Sequence, residues 1–133
     1  MFLFDTDILS NLMSAKPSAR LLDRLGATPA EQQATSAVTA GELIYGASRS
    51  PRSVHYREKL ERVVWPRVRV LPFDRRAAEE YGRIRAELEK AGAPIPDADL
   101  MIAAIAASNG LTLVTGNVRH FSRIRGLKVE NWL

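Results

Sequence analysis

The sequence predicts a three-layer α/β/α domain with a central parallel sheet of four to five strands. Three observations carry that expectation. Short apolar runs alternate along the chain with longer amphipathic stretches, the pattern of repeated βαβ units. The first run, Phe2 to Phe4, shows no alternation of polarity, as expected of a strand covered on both faces. The stretch Pro94 to Asn117, PIPDADLMIAAIAASNGLTLVTGN, reads as helix, turn and strand in immediate succession. In such folds sites are built at the carboxyl ends of the strands.

In chain order, Asp5-Thr6-Asp7 ends the first strand, and Ile8 to Met13 begins a helix capped by Thr6 or Asp7. Pro17-Ser18 restarts a short helix with Leu21, Leu22 and Leu25 on its apolar face, closed by Gly26. A brief strand is expected near Ala34 to Ser36, then a helix from about Thr39, where Thr39-x-x-Glu42 fits a capping box. Ser53 to Val64 forms a further helix with Val54, Leu60, Val63 and Val64 inward, stopped by Trp65-Pro66. Arg67 to Leu71 alternates basic and apolar residues, as on a half-covered edge strand. Pro72-Phe73-Asp74 caps a long helix, Arg75 to Ala91, ended by Gly92. After the Pro94–Asn117 stretch come a short segment, Val118 to Ile124, and a last strand near Leu127 to Val129.

The 133 residues are read as a single domain, 1–133, long enough to bury a core. With 46% apolar and 26% charged residues the chain is not of disordered type. It has no cysteine, so disulfides, zinc–thiolate sites and thiol nucleophiles are excluded. MFLFDTD meets an acid too early for a signal peptide, and no apolar run approaches a membrane span. A soluble, cytoplasmic protein is expected. The net charge is +4, carried mostly by arginine, with Lys16, Lys59, Lys90 and Lys128 the only lysines. That balance permits nucleic-acid binding and equally suits a solvated surface of mixed charge.

Asp5, Glu42 and Asp99 each follow a strand end or open a helix, on the same predicted sheet edge and from three separate parts of the chain. Helix capping accounts for each of them singly. Together, three carboxylates would repel one another and raise pKa values unless a divalent cation joined them. Oxygen ligands with neither Cys nor paired His suit Mg²⁺ or Mn²⁺, and such an ion matches phosphate chemistry. Asp97 and Asp99 diverge by about 200° around a helix, so only one can face a shared site. Asp99 is expected inward and Asp97 as the cap. Thr115 is expected either to orient an acid or a water, or merely to end its strand. His120 is read as an ordinary surface residue.

Four segments in order, MFLFDTDILS, AVTAGELIYGA, PIPDADLMIAAIAASNGLTLVTGNVRHF and VENWL, resemble a PIN-domain ribonuclease, specifically a VapC-type toxin of a prokaryotic toxin–antitoxin pair. The resemblance spans essentially the whole chain. It implies a Mg²⁺- or Mn²⁺-dependent endoribonuclease that leaves a 5′-phosphate and a 3′-hydroxyl. Asp5, Glu42 and Asp99 take the places of the family's first three acids. Asp5 and Asp99 then ligate the metal, Glu42 completing the set directly or through water. The fourth acidic place is held by Asn117, which carries no charge and puts a second metal in question. Asp7 replaces the asparagine of the usual Asp-Thr-Asn opening, and Asp7 or Asp97 could compensate as a water-mediated ligand. Arg119 is the best local candidate for holding an RNA phosphate.

The resemblance also implies a small antitoxin lying over the acidic groove, and a homodimer that becomes a heterotetramer or larger assembly with it. Ile8, Leu9 and Leu12 suit either the core or such a contact. Two other function classes compete. A non-catalytic PIN-like RNA- or protein-binding module is compatible with the missing fourth acid. A phosphoacceptor signalling domain could use Asp5, Asp7, Asp74 and Thr115, but leaves Glu42 and Asp99 unexplained.

Overall fold

The computed structural model describes all 133 residues. Five parallel strands, β1 (Phe2–Phe4), β2 (Gln33–Ser36), β3 (Arg69–Leu71), β4 (Thr112–Val114) and β5 (Val129–Glu130), form one sheet in the order β3-β2-β1-β4-β5. Seven α-helices flank it: α1 (Thr6–Leu12), α2 (Ala19–Gly26), α3 (Ala37–Arg49), α4 (Ser53–Lys59), α5 (Arg75–Lys90), α6 (Asp97–Ser108) and α7 (Val118–Phe121). The α/β/α architecture is as expected, with β3 on the edge.

Residues alternate across the sheet with the two-residue period of a strand. Leu3 and Leu113 join Ile84, Leu88, Ile102 and Phe121 on the face covered by α5, α6 and α7. Phe4 and Val114 join Ile8, Leu9, Leu21, Leu43 and Leu60 on the other face, under α1 to α4. Trp132 seals that second face. It meets Phe2 and Phe4 edge-on, with ring centroids 4.9 and 5.4 Å away, and the Arg24 guanidinium lies over it at 4.6 Å.

The strand order carries the consequence for function. From β1 the chain runs outward to β2 and β3, whereas β4 and β5 lie on the other side of β1. The switch therefore falls between β1 and β4, where connections leave in opposite directions and open a crevice at the carboxyl ends. Phe4 pairs with Val114 there, and the Asp5 amide donates to the Val114 carbonyl at 2.9 Å.

Several local expectations are corrected. Asp5 itself, rather than Thr6 or Asp7, caps α1, accepting the Thr6 N–H at 2.8 Å. Ser36 caps α3 by accepting the Thr39 N–H at 2.9 Å, so the helix starts two residues earlier than the capping-box reading placed it. Glu42 therefore sits beyond the first turn and is not a cap. Asp97 is the first residue of α6, which starts after Pro96 without a side-chain cap.

Leu22 and Val54 point to solvent, not inward. The stretch after α4 continues as a π-helical turn, Leu60–Val64, which re-phases the helix so that Leu60 and Val64 reach the core without Val54. Ile8, Leu9 and Leu12 are buried in the core of the chain itself.

Candidate active site

At the β1/β4 crevice the structure opens a concavity of about 590 Å³ lined by Asp5, Thr6, Asp7, Ser10, Asn11, Glu42, Asp99 and Asn117, with no hydrophobic residue among them. Four carboxylates thus line one pocket, carried by the end of β1, by α1, by α3 and by α6. None of the four has a lysine or arginine within salt-bridge distance; only the His120 ring approaches one of them.

Asp5 is the most constrained of the four. It is 7% exposed, and both carboxylate oxygens are engaged. Oδ1 accepts the Thr6 N–H, and Oδ2 accepts the Thr115 hydroxyl at 2.8 Å. Thr115 in turn accepts the Asn117 N–H at 2.9 Å, which ties the β4 exit to the acid. Burial pushes the Asp5 carboxyl up to about 6, against the lowering effect of the Thr115 and Thr6 hydrogen bonds; Asp7 and Asp99 raise it further.

Asp7 packs its carboxylate tip against the chain after β4, where Oδ2 accepts the Gly116 N–H at 2.8 Å. Desolvation there pushes its pKa up as well, with the Asp99 charge adding to the rise. Gly116 is required by this approach, because a Cβ at that position would sit 2.6 Å from Asp7 Oδ2. Glu42 reaches across from α3 to accept the Thr6 hydroxyl at 2.6 Å. That single proton cannot also serve Thr39, whose oxygen lies 3.1 Å from the same atom, so the Thr39 hydroxyl donates to Thr6. The chain Thr39–Thr6–Glu42 fixes the glutamate at the pocket rim.

Asp97 and Asp99 separate as their angular spacing predicts. Asp99 lines the pocket. Asp97 turns to α5, accepts the Tyr81 hydroxyl at 2.8 Å and lies 3.5 Å from Arg85. Asp97 is therefore absent from the pocket wall, where Asp7 joins Asp5, Glu42 and Asp99. Arg119 is exposed and makes no side-chain hydrogen bond or ion pair. Asp74 caps α5 by accepting the Ala77 N–H at 2.9 Å and lies outside the pocket, which removes the residue a phosphoacceptor reading needed.

His120 was missed by sequence reasoning. Its Nδ1 lies 2.9 Å from the Asn117 amide nitrogen and 3.4 Å from Asp99 Oδ2. The detectable signal was spacing: Asn117 and His120 are three apart on a helical turn, where side chains meet.

No three acidic or imidazole groups converge into a ready-made cation cage. The donors nevertheless suit a hard, hydrated divalent ion. Mg²⁺ keeps several waters and is held by one or two carboxylates, and this pocket offers oxygens, room for water and no thiolate. Burial first, and the neighbouring carboxylates after it, raise the Asp5 and Asp7 pKa values, and a bound cation would offset both effects.

The fold is shared with known proteins. The PIN domain family matches residues 2–127. The chain is 40% identical over 131 residues to a tRNA(fMet)-specific endonuclease VapC of Shigella flexneri, covering 98% of this chain and 97% of that one. A VapC of the same description from Salmonella typhimurium is 37% identical with the same coverage.

Among solved structures, a DNA-bound VapBC from Salmonella typhimurium superposes with a TM-score of 0.92 at 36% identity, covering 99% of this chain and 98% of that one. VapBC2 from Rickettsia felis, bound to a DNA fragment from its promoter, gives 0.91 at 31% identity with the same coverage. The chain belongs to the PIN-domain family and, within it, to the VapC ribonucleases.

Proposed function

We propose that this ribonuclease hydrolyses RNA phosphodiesters with a divalent metal ion held by Asp5 and Asp99, as the toxin of a toxin–antitoxin pair. One observation carries the reading: four carboxylates from separate elements share a pocket without a lysine or arginine partner, in a chain with 19 lysines and arginines. Like charges lining one pocket raise one another's pKa values, and a cation from outside the chain would relieve them.

A bound Mg²⁺ or Mn²⁺ would polarise a phosphoryl oxygen and bring the attacking water's pKa toward neutrality. The chain's own groups do the rest. Thr115 and the Thr6 N–H clamp both oxygens of Asp5 and leave their outward lone pairs for the ion. Asp99, on the first turn of α6, approaches from the opposite wall. Glu42, oriented by Thr6, accepts the proton of the attacking water. Asp7 commits one oxygen to Gly116, and its other oxygen would hold water beside the ion. It supplies the charge that Asn117 lacks at the family's fourth acidic place.

The relatives' description extends the reading to a tRNA substrate, and the VapBC complexes extend it to an antitoxin partner and an assembly on DNA; the family resemblance would place that antitoxin over the acidic groove. A cytoplasmic location goes with both. No helix is long and apolar enough to cross a membrane.

The test is cleavage of RNA by purified protein. Mg²⁺ or Mn²⁺ is expected to support cleavage that EDTA abolishes and the re-added ion restores. Cleavage unaffected by EDTA would remove the metal from the mechanism. No cleavage under any of these conditions, with intact RNA binding, would favour the non-catalytic module.

A further inference from the structure

A second concavity, of about 360 Å³, lies between the carboxyl end of α5 and the loop after α7. Its floor is apolar, made by Ile84, Leu88 and Ile124, and its rim carries Lys90, Arg123 and Arg125. None of these three cations has a carboxylate within 4 Å or donates a side-chain hydrogen bond within the chain. The one acid on the rim, Glu87, is already engaged by Arg83 at 3.2 Å. The rim is therefore a net positive patch whose charges repel one another until an anion arrives.

Position distinguishes this patch from the chain's other basic surfaces. Asn117 lines the acidic pocket, and α7 follows it directly, with Arg119 exposed on its surface. Arg123 is six residues beyond Asn117, a span of at most about 20 Å even if extended and about 10 Å in helical or turn conformation. Arg119, Arg123 and Arg125 thus follow one another on the segment that leaves the acidic pocket, and the last two rim the concavity. By contrast, the hollow edged by Arg62 and Arg67 contains Gln33, at the amino end of β2, and so lies on the far edge of the sheet.

We propose that this concavity binds the single-stranded RNA flanking the cleaved bond, a reading that rests on the ribonuclease function above. Arg123, Arg125 and Lys90 hold backbone phosphates, and an unstacked base lies on the apolar floor. Guanidinium forks suit phosphate oxygens in pairs, and apolar or planar surfaces beside a basic track are how proteins hold single strands. The acidic pocket repels the substrate's phosphates, so attraction has to come from a neighbouring surface. This patch is placed to supply it.

The experiment combines Arg123→Ala with Arg125→Ala in the full chain. A labelled single-stranded oligoribonucleotide is titrated onto an Asp99→Asn background, with and without the pair, across a salt series. Affinity is expected to fall about 10-fold, and the log–log salt slope by about 1.4, the value for two lost single-strand phosphate contacts. In the otherwise wild-type enzyme KM is expected to rise about 10-fold with kcat within about twofold. Arg123→Lys with Arg125→Lys, which keeps the charge, is expected to restore the salt slope.

Unchanged affinity, slope and KM would overturn the proposal while leaving the ribonuclease reading intact. Unchanged RNA binding with weakened capture of the cognate antitoxin would also overturn it, assigning the patch to the protein partner. Absence of cleavage by the wild type would count against the ribonuclease reading alone, because the binding arm still reports on the patch.

Discussion

The outer face of α5 and the pocket at the β1/β4 crevice treat acidic residues in opposite ways. On α5, Arg83 reaches Glu80 at 2.7 Å and Glu87 at 3.2 Å, and Arg85 reaches Glu89 at 3.1 Å and Asp97 at 3.5 Å. Four acids there are answered, three of them by a neighbour one turn away on the same helix; of the helix's own acids only the exposed Glu79 has no partner. Such exposed pairs are screened by water and add little to stability, but they leave little field behind. In the pocket Asp5, Asp7, Glu42 and Asp99 come from four different elements and none meets a lysine or arginine. Local sequence solves the electrostatics of α5; the tertiary fold creates, and leaves open, those of the pocket. The difference marks which carboxylates serve folding and which serve chemistry.

The strongest way to break this comparison is to neutralise one acid on each side. Asp99→Asn keeps the shape of the pocket and removes a charge that α6 directs into it. Outer contacts to a metal site already cost 10–100-fold when lost, so cleavage is expected to fall by at least about 100-fold. Glu87→Gln on α5 is expected to leave the cleavage rate within about twofold. Equal, small effects from the two would show that pocket and helix acids do not differ.

The pH dependence of metal-free stability sharpens the same contrast. Asp5 has an ordinary pKa of 3.8 in the unfolded chain and about 6 in the folded one. Between those values the folded state holds a proton that the unfolded state has released. Stability of the metal-free protein therefore falls as pH rises from about 4 to about 6, and stays at the lower level above that. Asp5→Asn removes the buried charge and is expected to stabilise the metal-free protein at pH 7.5 by about 3 kcal/mol, with no gain below pH 4. Its amide can still accept the Thr6 N–H and donate to Thr115. Urea unfolding in EDTA at several pH values measures this. A variant less stable than wild type at pH 7.5 would show that the carboxylate is a net structural asset.

Much of the fold was legible because each strand announces itself locally. Phe2 to Phe4 and Leu111 to Thr115 are apolar runs bounded by acids or glycine, and their register follows from burial on both faces. Asp5, Glu42 and Asp99 stood out only when the predicted sheet edge was used to gather them. What the sequence concealed depends on contacts between distant residues. Ser36 rather than Thr39 caps α3, and a shift of that size decides whether Glu42 belongs to the helix start or to the pocket. The π-helical turn at Leu60–Val64 breaks the helical phase, so Val54 loses its inward position. Asp7 was legible as a departure from the family's asparagine, but its bond to Gly116 spans 109 residues. His120 needed the fold to bring α7 beside α6.

The finest cut lies between Asp97 and Asp99, two residues apart on one helix and assigned to the two opposite regimes. Asp97 accepts the Tyr81 hydroxyl, which itself accepts from Arg85 at 2.8 Å. This arrangement ties the start of α6 to α5 at an exposed position. Tyr81→Phe and Asp97→Asn are each expected to cost no more than about 1 kcal/mol of stability and to leave cleavage within about threefold, because Asp99 remains anchored by the buried body of α6, Leu100 to Ala106. Single-turnover cleavage and thermal unfolding of the two variants beside Asp99→Asn provide the check. If Asp97→Asn lost activity on the scale of Asp99→Asn while Tyr81→Phe did not, the lost function would belong to the Asp97 charge itself. The boundary between fold-serving and chemistry-serving acids would then have to be redrawn through the first turn of α6. If all three lost activity together, the Tyr81–Asp97 contact would be what positions Asp99, and the α5 face would be part of the catalytic apparatus.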